Sequence, residues 1–438
     1  MTRPPATRRL DREIFALALP ALATLITEPL LVVADSAIVG HLGTTELAGL
    51  SLASNVMGVL LGLSVFLAYG TTAAVARRLG AGDRRRAIEG GIDGMVLGLI
   101  VAAGIALLVS VFGRTVLGWY DAPVDVQDAA WSYLRITAFA FPGLLVNLAA
   151  TGVLRGLQNT RTPLVVAIAV NLINIALTLT FVYVVGLGLP GAAFGTTIAA
   201  TGGGITLATV LLRGAVRERA SIALRPRGVA EAARSSSWLI LRALALQINI
   251  TITTATAATT GAIGLAAHQV ANTLWNAMAF VLDAFAIAAQ ALIGHRLGAG
   301  DADGARAVTR RVMLWGAGSA VLVGALLILV RQPIAGFFTP DTEVQRLLMS
   351  VLVVLALVIP IGGVVFVLDG VLIGAGDAKY LGLVGLIVTA VYAPAAWVVW
   401  HYELGLTWLW VAYGISILAR MITLVVRQRG TAWMRLGD

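Results

Sequence analysis

Apolar residues run along this chain in twelve stretches, each bounded by short polar punctuation. A helix crosses a bilayer with roughly 20 mostly apolar residues, and every stretch is that long. They lie at 14–39, 47–75, 88–111, 130–154, 163–186, 190–212, 236–260, 265–292, 307–330, 345–372, 380–401 and 404–426. Glycine and proline inside them are compatible with lipid, because neighbouring helices re-satisfy the freed backbone groups. The pattern predicts an all-α polytopic membrane protein with twelve transmembrane helices.

The punctuation has a sign. Arg and Lys in the first tail, the loops after spans 2, 4, 6, 8 and 10, and the last tail number 25; the opposite loops hold three, Arg114, Arg331 and Arg346. This imbalance predicts that both termini are cytoplasmic. The first span has no small-residue cleavage site at a signal-peptide distance, so it is expected to be retained. Almost every basic residue is Arg, amid abundant Ala and Gly, as GC-rich bacterial coding produces; the expected location is the bacterial cytoplasmic (inner) membrane.

Composition narrows the chemistry. Hydrophobic residues make up 59% of the chain and charged ones 12%, which no soluble protein of 438 residues could bury. Cys is absent, which excludes disulfides, thiolate metal sites, iron–sulfur clusters and Cys nucleophiles. The four His do not pair at ligand spacing, so no metal and no cofactor are expected. The net charge of +9 reads as membrane topology, not as nucleic-acid binding. No Ser-His-Asp or His-Glu-x-x-His arrangement appears, and the chain is expected not to be an enzyme.

A repeat organises the spans. Arg78-Leu79-Gly80-Ala81-Gly82-Asp83 recurs as Arg296-Leu297-Gly298-Ala299-Gly300-Asp301, a shift of 218. The same shift maps Leu47-Ala48 onto Leu265-Ala266, Gln127 onto Gln345, Pro142 onto Pro360 and Gly152-Val153-Leu154 onto Gly370-Val371-Leu372. The expected organisation is a six-helix bundle over 1–212, a cytoplasmic linker over 213–235 and a second six-helix bundle over 236–438. Six is even, so the repeat is parallel, with its pseudo-twofold axis along the membrane normal. Two facing halves that rock provide alternating access, and the architecture points to a transporter rather than a channel or receptor. Asp83 and Asp301 are expected to cap the helices that follow them, and Ser235-Ser236-Ser237 to cap span 7.

Asp35-Ser36-Ala37-Ile38-Val39-Gly40-His41-Leu42-Gly43, Ala267-His268-Gln269-Val270, Leu282-Asp283-Ala284-Phe285-Ala286-Ile287-Ala288-Ala289-Gln290 and Val371-Leu372-Ile373-Gly374-Ala375-Gly376-Asp377, with the Leu-Gly-Ala-Gly-Asp turns, resemble the MATE (multidrug and toxic compound extrusion) family, in its DinF-like branch. The similarity runs over nearly the whole chain. It implies the MATE fold, two six-helix bundles forming a V, and export of cationic or amphipathic compounds in exchange for H+ or Na+. A lipid-linked intermediate flippase of the same superfamily is the nearest alternative, although such proteins usually have fourteen spans and a cavity rich in Arg and Lys. A membrane-embedded lipid-modifying enzyme is the alternative from another class.

Intramembrane ionisable groups are expensive and usually functional. Asp35 lies deep in span 1, where a lone carboxylate in low dielectric can take up and release a proton; the resemblance adds that the family's span-1 Asp is its proton or cation site. The repeat supplies an internal control. Asp35, Asn147, Asn171, Asn174, Thr178 and Thr196 map onto Thr253, Val365, Thr389, Tyr392, Ala396 and Gly414, so the first half is the more polar at these places. Asn171, Asn174 and Thr178 share one face of span 5, and with Asp35, Asn147 and Thr196 they are expected to form the proton-coupling network. Helix–helix hydrogen bonding is the plainer role for each Asn. Many relatives carry a second Asp where Thr178 stands, although DinF-like relatives commonly lack it. The Na+-coupled NorM-like branch carries carboxylates where Leu246 and Gly362 stand, which favours H+.

Glu28, Asp369 and Asp283, with Gln247, Asn249, Asn272 and Asn276, are expected to line the substrate cavity. The two second-half carboxylates could instead pair with those amides, and Arg242 could neutralise either. Pro20 and Pro29 interrupt span 1 and are expected to hinge it; resemblance ties Pro20 to relatives whose first helix bends on protonation, and a static kink is the alternative. The expected partners are a small cationic or amphipathic substrate, H+ and the lipid bilayer; no nucleic acid is expected, and the chain is read as a monomer.

Overall fold

The computed structural model describes residues 5–437, with side chains from Thr7 onward. Arg3, counted in the first basic tail, lies outside the described residues. Every regular element among the described residues is helical, and they form twelve spans. The first half contains α1 (Pro5–Gly40), α2 (Thr44–Ser64), α3 (Phe66–Gly80), α4 (Arg84–Gly118), α5 (Val124–Thr137), α6 (Phe141–Gly156), α7 (Arg161–Leu179) and α8 (Leu189–Arg217). The second contains α9 (Pro226–Ala258), α10 (Gly261–Gly298), α11 (Ala302–Phe338), α12 (Thr342–Gly374), α13 (Ala378–His401) and α14 (Leu406–Arg429). In lipid a backbone must bond to itself, which leaves long helices as the available answer for segments this apolar.

The repeated turns follow from their sequence. Gly82 and Gly300 sit at φ of 81° and 74°, in the left-handed region that glycine enters without strain. The following N–H groups fold back, Asp83 to the Arg78 carbonyl (3.0 Å) and Asp301 to the Arg296 carbonyl (2.9 Å). Each Asp then caps the next helix: Asp83 accepts from the Arg86 N–H at 2.8 Å, and Asp301 from the Gly304 N–H at 2.7 Å. The serine run behaves differently from the expectation. α9 starts at Pro226, where a missing N–H is harmless, so the serines lie inside the helix and Ser235 Oγ bonds back to the Ala232 carbonyl (3.0 Å). The irregular part of the linker shrinks to residues 218–225.

The chain divides into two compact units, Ala23–Ser236 and Met1–Leu22 with Ser237–Asp438. In the first, α6 is central, packing on α3, α4 and α8, while α7 pairs with α8 and α2 with α5. In the second, α12 takes the corresponding place against α10, α11 and α14, and α13 packs on α14. One difference separates these related centres. In the first half the span breaks at a 3-10 turn, Ala138–Ala140, which puts Pro142 in the first turn of α6. Its mate Pro360 stays inside the continuous α12.

The partition departs from the expected 1–212 bundle in one respect. The opening of α1 groups with the second half, and the opening of α9, up to Ser236, groups with the first. The contacts show why. Arg311 donates to both Asp11 oxygens at 2.5 and 2.6 Å, Trp315 Nε1 adds a third bond at 2.8 Å, and the Phe15 ring lies edge-on to Trp315 and Phe285.

Candidate functional site

Asp35 projects from α1 as a buried carboxylate, 9% exposed. Its Oδ1 is fully enclosed and accepts no hydrogen bond, and no Arg, Lys or His of the described residues forms an ion pair with it. An ionised carboxylate there lacks the donors that normally offset desolvation. Two things would neutralise it in place: a proton, or a cation.

The groups around it come from three helices of the same unit. Thr178 Oγ1 donates to Asn174 Oδ1 (3.1 Å), and Asn174 Nδ2 donates to Thr196 Oγ1 (3.3 Å). Thr196 also meets the Tyr133 hydroxyl at 3.4 Å. The connected set is therefore Tyr133 from α5, Asn174 and Thr178 from α7 and Thr196 from α8, in the same compact unit as Asp35. Gly195 makes this approach possible. A Cβ there would lie 2.9 Å from the Thr178 backbone nitrogen and 2.7 Å from its hydroxyl.

Two more residues of span 5 fasten α1. Asn171 Nδ2 donates to the Thr27 carbonyl (2.7 Å), and the Tyr183 hydroxyl to the Ile38 carbonyl (2.6 Å). These bonds bracket Asp35 along its helix. Tyr183 gets its reach from a π-helical turn, Thr180–Val184, directly after Thr178. Asn147 does not join this set by a hydrogen bond; its Oδ1 accepts from Thr151 (3.3 Å). Only 17% of the most apolar window of α1 is buried, against 67% for α10 and 61% for α12. The helix runs through Pro20 and Pro29 without a break in its helical course.

The second half answers with aromatic side chains. Thr253, mate of Asp35, bonds the hydroxyl of Tyr392, mate of Asn174, at 2.5 Å. Tyr413 stands where the repeat has Gly195, edge-on to Trp275, Tyr392 and Trp410 at centroid distances of 5.6–6.0 Å. The space that Gly195 leaves around Thr178 is here filled by rings.

Among the expected cavity residues, Asp369 needs correction. It is buried, and one oxygen accepts from Arg242 Nη2 at 2.9 Å and from Arg420 Nη2. Two guanidiniums already neutralise it, so it is unsuited to receiving a cation. Among the described residues no pairing with the amides of Gln247, Asn249, Asn272 or Asn276 is seen, and Asn249 Oδ1 is buried without a hydrogen-bond partner. Glu28 is exposed, as is Asn276, and Asp283 is partly buried. Sequence reasoning missed Tyr133, Tyr183 and Arg420 as members of these clusters.

Comparison with known proteins settles the family. The MatE family model matches residues 20–180 and 239–398, one match in each half. The chain belongs to the MatE family. Protein DETOXIFICATION 44, chloroplastic, of Arabidopsis thaliana is 30% identical over 442 residues, covering 95% of the MatE chain and 82% of the plant protein. DNA damage-inducible protein F of Escherichia coli is 29% identical over 383 residues, covering 84% and 81% respectively. A solved MATE transporter of Vibrio cholerae in a bent form superposes with a TM-score of 0.89 at 23% identity, covering 99% of this chain and 98% of that one. A MOP superfamily transporter from Pyrococcus furiosus gives 0.87 at 20% identity, covering 99% of both. The family is one of multidrug efflux transporters, and its twelve apolar helices make this MatE chain a multi-pass membrane protein.

Proposed function

We propose that the protein is a proton-coupled antiporter that exports organic cations or amphipathic toxic compounds across the bacterial cytoplasmic membrane, with both termini cytoplasmic. The observation that carries this reading is the enclosed Asp35 carboxylate with no fixed cation beside a chain of hydroxyl and amide groups. One carboxylate cannot hold a proton and balance an organic cation at once, so each displaces the other; that linkage is the thermodynamic basis of antiport. Facing outward, Asp35 takes up a proton, loses its attraction for the substrate cation and releases it. Facing the cytoplasm, it gives up the proton and the cycle resets. The bonds at Thr27 and Ile38 support the idea that a charge change at Asp35 is felt along α1. Protons are favoured over Na+, since a hard cation requires several oxygen ligands, and Leu246, Gly362 and Thr178 supply no carboxylate.

The test is efflux of a cationic dye from proteoliposomes under an imposed pH gradient. Asp35→Asn is expected to abolish gradient-driven efflux while the purified protein keeps its elution profile and melting temperature. Efflux at the unmodified rate in that variant would falsify the proposal.

A further inference from the structure

Beside the linker, within the first compact unit, lies a cavity of about 620 Å³. Its walls lie at the connections after spans 2 and 6, and an even count puts those connections on the same membrane face as the first helix's start. Its walls come from the end of α3, the first turns of α4 and residues 225–231.

Three further guanidiniums line it, those of Arg78, Arg86 and Arg227. Arg78 lies across Gly90 of α4, whose missing side chain makes the room, and its Nη1 points at the Arg86 carbonyl at 3.5 Å. Arg86 stands at the start of α4, paired only with Asp83 of its own turn at 3.3 Å. Arg227 is exposed and makes no hydrogen bond or ion pair among the described residues. Each sits within a few residues of the end of a different membrane span, the depth at which lipid phosphates lie.

The acidic walls are already spoken for. Arg225 donates to Glu89 at 2.5 Å and to Asp93 at 2.6 and 3.3 Å; Arg85 (3.1 Å) and the Ser221 N–H (3.0 Å) complete the shell of Glu89. Hydrogen bonding to Asp93 pushes the Arg225 pKa above its ordinary value, so the seat stays charged at any working pH. This seat holds the linker as one wall of the cavity. Glu231, on the rim, is the one lining carboxylate outside it. Arg78, Arg86 and Arg227 line the cavity without pairing to Glu89 or Asp93 among the described residues.

We propose that this cavity binds the phosphate of an anionic phospholipid headgroup, with Arg78, Arg86 and Arg227 as its donors. A guanidinium meets phosphate oxygens through two parallel N–H groups, which suits three arginines converging from separate elements. The bound lipid ties the linker to the ends of three spans at the membrane surface. Nothing in this depends on the Asp35 site.

Native mass spectrometry of the detergent-purified full chain, titrated with phosphatidylglycerol, phosphatidylcholine or inorganic phosphate, tests it. Retention of phosphatidylglycerol over phosphatidylcholine is expected, with Arg227→Gln weakening it about tenfold, the value of one lost charge-assisted bond. Arg213→Gln/Arg217→Gln, which removes two linker-side charges outside the cavity, is expected to leave retention unchanged. Arg227 has no internal bond to lose, so its variant is expected to fold; equal melting temperatures check this. Equal loss in both variants would reduce the effect to bulk charge and overturn the site. Displacement of the lipid by millimolar inorganic phosphate would reassign it to a free anion, and equal retention of phosphatidylcholine, whose phosphate is offset by choline, would overturn the preference for a net anionic headgroup.

Discussion

Asp369 offers the sharpest division between a transport role and a structural one. Its carboxylate accepts from Arg242 and Arg420, and the three side chains are 7%, 13% and 9% exposed. Replacing it by Asn removes the charge that both guanidiniums share inside the helix bundle. Breaking a buried ion pair from one side costs about 3–5 kcal/mol. With an unfolding entropy of roughly 2.1 cal/mol/K per residue, ~4 kcal/mol lowers the melting temperature by about 4 °C if the whole chain unfolds together, and about twice that if its own half unfolds alone. The assay is a heating series read by size-exclusion chromatography, run beside dye efflux at a temperature where both proteins are folded. Asp369→Asn is expected to melt earlier and to transport at a rate close to the unmodified protein. Joint replacement by Arg242→Met, Asp369→Leu and Arg420→Met is expected to recover most of the lost stability, since apolar isosteres often match buried ionic groups. An unchanged melting curve with efflux lost would refute the argument and place Asp369 in the transport machinery.

Two further variants probe the Asp35 surroundings. Tyr133→Phe deletes a long contact of 3.4 Å to Thr196, which keeps its bond to Asn174; initial efflux rates are expected to drop by less than about tenfold, the range of one neutral hydrogen bond, and a hundredfold drop would make Tyr133 a proton carrier in its own right. Gly195→Ala forces a methyl group to 2.9 Å from the Thr178 backbone nitrogen, an overpacking worth ~1–3 kcal/mol. Its melting temperature and efflux are both expected to fall, while Gly202→Ala, which meets open space, is the neutral control; equal behaviour of the two would show that α7 and α8 are not tightly apposed.

The spans and the two aspartate caps were legible because each depends on near neighbours in the chain, twenty apolar residues or a carboxylate three residues before an N–H; the repeat was legible because one offset of 218 recurs at several landmarks. Asp35 was legible for a related reason, as an acid set among apolar residues. Asn174, Thr178 and Thr196 emerged from comparing the halves, where Tyr392, Ala396 and Gly414 stand in their places. Tyr133 was not legible, because a tyrosine in a membrane helix is unremarkable and nothing in the sequence shows that its hydroxyl meets Thr196. Asp369 and Arg420 are 51 residues apart, and Arg242 is 127 from Asp369; only packing reveals that the three converge. The serine run misled because Pro226, ten residues upstream, had already started the helix.

The traded helix openings bear on how such a protein can be divided. The repeat invites a cut between Arg217 and Pro226, giving two genes with six spans each. Neither product would be whole. The first would present Asp11 without Arg311 and Trp315 and the three hydrogen bonds they supply; the second would present residues 226–236 without the body they pack on. Made together, the fragments would each carry a segment complementary to the other, so reassembly from split genes is favoured over independent folding of either one. The two copies of the repeat are thereby no longer interchangeable, since each begins inside the other's compact unit.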